Sequence, residues 1–157
     1  MDIIINNFTG LINGFSVVFH PDQLFFIFIG CFLGTLVGVL PGIGPVGAIS
    51  ILLPITFQMS PTGAIVMLAG VYYGVMYGGS TASILVNVPG EAASVVTCLD
   101  GYQMARQGRA GPALGIAAIG SFLAGTVGLI GLQLIATPLA NIALEFGPPE
   151  YFAIILV

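Results

Sequence analysis

Between Leu24 and Leu40 the chain carries no charged side chain, and glycine recurs at every fourth position, at Gly30, Gly34, Gly38 and then Gly42. Fourfold spacing lines these residues up on one face of a helix, as a smooth stripe where a second backbone can approach closely. The run is long enough to approach the ~20 residues that a helix needs to cross a bilayer. A stripe of this kind is read first as helix packing and only second as a ligand surface.

Composition points the same way. Charged residues make up 5% of the chain and hydrophobic residues 57%, with a mean hydropathy of +1.12. Soluble domains carry about 25% charged residues. A soluble domain and a disordered chain are therefore both excluded. Arg106 and Arg109 are the only basic residues besides His20, and there is no lysine, so nucleic-acid binding has no electrostatic footprint. At 157 residues, the chain has room for about five or six apolar segments of spanning length. The 23 glycines and 10 prolines predict broken helices and close backbone packing, the habit of transporters. The expected fold is all-α, a polytopic set of transmembrane helices with broken or re-entrant segments.

Several boundaries follow from the local pattern. Residues 3–19 read as an amphipathic or interfacial helix, and Pro21 suits the first turn of the next one. Pro41, Gly42, Gly44 and Pro45 interrupt an otherwise apolar stretch. Two readings stand open there: non-helical backbone at membrane depth, which must be buried in protein or line a watery cavity, or a tight turn outside the membrane. Pro54 is expected to interrupt the following helix. Thr62 to Met76 repeats the glycine stripe at Gly70, Gly74 and Gly78. A second break is predicted at residues 77–81, leaving Ala82 to Val88 as a half-helix or one arm of a re-entrant hairpin. Residues 91–111 hold Glu91, Asp100, Arg106 and Arg109 and read as the hydrophilic loop, cytoplasmic by the positive-inside rule. Pro112 to Thr137 is a further span, residues 138–147 a shorter amphipathic stretch, and residues 147–150 a rigid turn. Tyr151 to Val157 is expected to begin a helix too short to cross a bilayer, as if residues 1–157 were the N-terminal part of a single, longer transporter domain. A faint echo relates Leu36–Gly42 to Leu85–Gly90 and pairs two breaks in one fold.

The residues offer little for catalysis. His20 reads as an interfacial residue, Ser80 has no base, no paired aspartates lie in apolar segments, and there is no phosphate-binding loop of the Walker type. Cys31 and Cys98 read as packing residues. An enzyme is therefore not expected, and neither is a resident cofactor or metal. What remains is a set of neutral polar groups, Ser80, Thr81, Ser83 and Asn87, with the backbone at Gly44 and Gly79 open to a ligand. Taken singly, each hydroxyl is expected to bond back to its own helix and Asn87 to cap a turn. Taken together, they read as a site for a carboxylate or a transported cation. No buried carboxylate is evident for a proton relay, so Na⁺ is favoured over H⁺ as a cotransported ion.

Six stretches carry a resemblance: residues 34–45 (GTLVGVLPGIGP), 72–81 (YYGVMYGGST), 87–90 (NVPG), 97–102 (TCLDGY), 108–113 (GRAGPA) and 146–152 (FGPPEYF). In this order, and over nearly the whole chain, they resemble the large membrane subunit of the tripartite tricarboxylate transporter family. The resemblance implies a secondary transporter of a bacterial inner membrane that works with a small transmembrane subunit and a periplasmic solute-binding protein. It implies uptake of citrate or related organic carboxylates, driven by a cation gradient. Carried onto this chain, the motif positions are Pro41, Gly42, Gly44, Pro45, Gly79, Ser80, Thr81 and Asn87, candidates for binding substrate or ion. The alternative is a structural or assembly subunit, or a channel, with no gradient-driven transport of its own.

Overall fold

The computed structural model describes residues 2–144, 146, 147 and 153. Among them lie six α-helices, one short 3₁₀ turn and no strand: α1 (Asp2–Val18), α2 (Pro21–Gly38), α3 (Gly44–Thr56), α4 (Pro61–Val86), the turn Ala92–Ser94, α5 (Val95–Arg106) and α6 (Ala110–Leu144). The chain forms two packing units, Met1–Gly120 and Ser121–Val157. Three helices, Pro21–Gly38, Pro61–Val86 and Ala110–Gln133, are long and apolar enough to cross a membrane. The expected turn at 147–150 and the helix from Tyr151 lie almost wholly outside the described residues.

Helix starts follow from local chemistry. Pro21 and Pro61 occupy first-turn positions, where the missing N–H costs nothing. Asp22 places negative charge at the positive end of α2. Ser60 caps α4 by accepting a hydrogen bond from the Gly63 amide at 3.2 Å.

The first unit is built on the two glycine stripes, which interlock. A Cβ added at Gly30, Gly34 or Gly38 would run into the carbonyls of Met67, Val71 or Val75; one added at Gly70, Gly74 or Gly78 would run into those of Ile27, Cys31 or Thr35. Residue numbers rise together along both helices, so α2 and α4 run parallel, backbone against backbone. Parallel neighbours require the chain to return between them, and α3 makes that return. Its Ala48 and Leu52 pack on Val71 and Val75 of α4 to form the small apolar core. With 13 residues, α3 is only about 20 Å long, short of the ~30 Å hydrocarbon thickness. Side chains facing away from this seam stay uncovered. Phe28 is 68% exposed, an arrangement suited to lipid or another protein surface and not to water.

Four expectations are corrected. Residues 77–81 do not break a helix: α4 continues through them to Val86, because Gly78 and Gly79 are needed as close-contact positions and a packed neighbour offsets their low helix propensity. Residues 82–86 are therefore the end of a long span and not a separate half-helix. Pro54 lies inside α3, which runs on to Thr56; it falls in the last turn, where the chain is already leaving the helix. Residues 91–111 are mostly helical. The charges concealed a narrow packing face on α5, where Gly101 meets Ile84 of α4 and Thr97 and Met104 lie on the same side. Finally, α6 does not stop before Pro138 but continues to Leu144.

In the second unit the described residues continue α6. Thr126 bonds back to the Phe122 carbonyl at 2.8 Å, so its hydroxyl is satisfied within the helix. Phe122 and Val127 are exposed.

Candidate functional site

Two breaks in the helices meet. α2 ends at Gly38, and residues 39–43 turn the chain into α3. Gly42 and Gly44 both take positive φ, +88° and +63°, which glycine adopts without the penalty a Cβ would bring. α4 ends at Asn87, whose φ of 58° and ψ of 30° make it a left-handed helix cap. Residues 88–91 then fold back along α4. Gly90 arrives against Gly38 and Gly79: a Cβ on Gly90 would stand 2.5 Å from the Gly38 carbonyl oxygen and 2.5 Å from the Gly79 Cα. The Gly42 amide donates to the Gly90 carbonyl at 3.3 Å. Three glycines from three segments thus clear the space in which the two turns join.

A groove of about 520 Å³ opens beside this junction, lined on one side by Gly42, Gly44 and Pro45 and on the other by Pro89, Gly90 and Glu91. It lies beside α4 at the level of Gly79, about 10 Å before the end of that helix at 1.5 Å per residue. α3 opens at Gly44, preceded by Ile43, which supplies no side-chain cap, and its second residue, Pro45, has no N–H to donate. Uncapped first-turn amides and the helix dipole favour a negative group.

The sequence-derived candidates divide between this groove and the helix beside it. Gly42, Gly44 and Pro45 line the groove, and Gly79 forms the floor on which Gly90 and Glu91 rest. Pro41 sits in the same turn but is exposed and does not line the groove. Gly42 has left the α2 stripe, since the helix ends four residues earlier. The hydroxyls of α4 are held within their own helix: Ser80 donates to the Met76 carbonyl at 3.1 Å, Thr81 to Tyr77 at 2.9 Å and Ser83 to Gly79 at 2.9 Å. Ser80 and Thr81 remain half-buried, and Ser83 is fully buried. Asn87 is exposed and ends the helix.

Glu91 was missed by sequence reasoning, which placed it in a solvated loop. It lines the groove, is half-buried, and burial pushes its carboxyl above the ordinary glutamate value. Its Cγ would stand 3.0 Å from a Cβ at Gly79, so the side chain occupies room that glycine leaves. The backbone around it is held by Ser94, which is buried. The Ser94 hydroxyl donates to the Glu91 carbonyl at 2.9 Å and accepts from the Glu91 amide at 3.3 Å. The available signal was position: Glu91 directly follows Pro89-Gly90, the turn that sends the chain back along α4. Among the described residues no cluster of three or more His, Cys, Asp or Glu side chains could hold a metal.

The fold defines a polytopic helical membrane protein with its two chain breaks brought together beside a long helix. Residues 24–157 match the tripartite tricarboxylate transporter TctA family, and the chain belongs to that family. A relative from Agrobacterium vitis, described as an uncharacterized 52.8 kDa protein in the TAR-I ttuC' 3' region, is 56% identical over 157 residues. That alignment covers all of this chain and 30% of the relative. No solved structure matches the chain.

Proposed function

We propose that this chain contributes to the membrane-embedded carrier of a binding-protein-dependent secondary transporter. The carrier takes up citrate-like tricarboxylates or related organic acids together with a cation, in the inner membrane of a bacterium. Family membership supports the class. The single observation that carries the site is the meeting of the two breaks at Gly42 and Gly90. Paired breaks beside a spanning helix supply free backbone groups where a carrier needs them, and the opening amides of α3 suit a substrate carboxylate. Alternating access then exposes the groove to one side of the membrane at a time. A periplasmic solute-binding protein delivers the acid, a small transmembrane subunit completes the assembly, and the 91–111 segment faces the cytoplasm.

The test is uptake of labelled citrate, and of a panel of other di- and tricarboxylates, in cells lacking the system and supplied with the complete subunit and its small partner. Saturable accumulation that requires both the binding protein and an ion gradient is expected. Proteins correctly inserted but giving no accumulation of any carboxylate would leave an assembly role, and flux that never exceeds equilibrium would indicate a channel.

A further inference from the structure

We propose that Glu91 is the group through which the entering carboxylate is coupled to a proton: it takes a proton from the outer water when the anion occupies the groove and releases it to the inner water when the groove faces inward. This rests on the transport reading above. It also alters one expectation, since the preference for Na⁺ rests on the premise that no buried carboxylate is available.

The geometry of the groove supports the coupling. Glu91 lines the same groove as Gly42, Gly44 and Pro45, whose backbone is the surface offered to the substrate. Its other walls there are apolar, Ile43, Val46 and Val95 among them. Contact with Gly79 and the Ser94 brace limit how far Glu91 can withdraw. Among the described residues no ion pair offsets its charge, and its side chain and Ser94 form a capping box at the turn Ala92–Ser94. α3 has no ionisable side chain. Asp22 and Cys31 of α2, the tyrosines 72, 73 and 77 of α4, and Cys98, Asp100, Tyr102 and Arg106 of α5 all lie outside the lining. Asp100 lines a different groove, between α5 and Ile84. A substrate carboxylate and an ionised Glu91 would therefore repel each other across the groove. Protonation removes that repulsion. By linkage, the bound anion raises the proton affinity of Glu91 as much as the proton raises the affinity for the anion. Burial already biases the empty groove in this direction.

The experiment uses the complete subunit with its partners in sealed vesicles, labelled citrate as the probe, and imposed pH or Na⁺ gradients. Wild type should accumulate citrate under an inward proton gradient alone. Glu91→Gln should lose gradient-driven accumulation and its pH dependence while keeping citrate–citrate exchange, which needs no net proton movement. Glu91→Asp should restore pH-dependent accumulation with a displaced profile. An unaltered pH profile in Glu91→Gln overturns the proposal, and so does wild-type accumulation that follows Na⁺ and ignores pH. If Glu91→Gln loses exchange as well, Glu91→Asp decides: recovery supports coupling, whereas inserted but inactive protein assigns Glu91 to structure. Absence of wild-type uptake for every carboxylate tested would instead count against the transport reading itself.

Discussion

The amide of Gly42 donates to the carbonyl of Gly90 at 3.3 Å, fastening the turn after α2 to the turn after α4. Forty-eight positions separate these residues along the chain, yet the parallel packing of α2 and α4 brings both turns to one level. The junction is only as close as its glycines allow, and that gives the first prediction. Gly90→Ala would place a methyl group against backbone atoms of Gly38 and Gly79. Backbone cannot rotate aside as a side chain can, so the substitution should destabilise the complete subunit by about 1–3 kcal/mol and abolish uptake. Thermal unfolding in detergent and carboxylate uptake would check both effects.

The interlocked stripes predict a position-dependent response to the same chemical change. Gly34→Ala meets the backbone of Val71, whereas Gly115→Ala meets nothing within 4 Å. The first should cost about 1–3 kcal/mol by overpacking. The second should be neutral or gain roughly 0.5–1 kcal/mol, because alanine is the better helix former. Equal stability of the two variants would contradict the α2–α4 seam.

Asn87 separates a conformational role from a chemical one. Its left-handed backbone tolerates glycine but costs most other residues roughly 1–2 kcal/mol. Asn87→Ala is expected to reduce transport with little loss of membrane insertion. If the cap alone matters, Asn87→Gly should transport normally; if the amide binds substrate or ion, Asn87→Gly should fail as well. Parallel uptake and expression measurements distinguish the two.

Glu91 also gives a stability signature with a defined sign. Its carboxyl holds a proton more tightly in the folded protein than in the unfolded chain. The folded state therefore binds more protons between the ordinary glutamate value and the raised one, and stability falls as pH rises through that window. Above the window the penalty is constant, and below it there is none. Glu91→Gln should remove this slope, as read by unfolding temperature against pH.

Topology is accessible through Gln107, which is exposed between Arg106 and Arg109. With the native cysteines of the complete subunit replaced, Cys31 and Cys98 among them, Gln107→Cys should resist a membrane-impermeant thiol reagent in intact cells and react after permeabilisation. Labelling in intact cells would reverse the orientation.

Much of this architecture was legible from residue spacing. Apolar runs marked the spans, Pro21 marked a helix start, and glycine at every fourth position marked the seam, because helical periodicity is a local property. The hydroxyls of Ser80, Thr81 and Ser83 behave as each was expected to behave singly, bonding to the carbonyl one turn back. The errors arose where local propensity met a packed neighbour. Gly78 and Gly79 look like a break in isolation, but Gly78 fits against α2 and Gly79 against Gly90, and α4 stays intact. The charges of α5 resemble a loop until Gly101 is seen against Ile84.

What the sequence determined by itself is a membrane-spanning, glycine-seamed helical chain with breaks near residues 41–45 and 87–90, since hydrophobicity, proline and glycine act within a few residues of where they stand. Tertiary structure alone decided that the two breaks share one groove and that Glu91 belongs to it. Those facts depend on α2 and α4 running parallel and on the chain folding back at Asn87, and a contact between segments distant in sequence has no local signature.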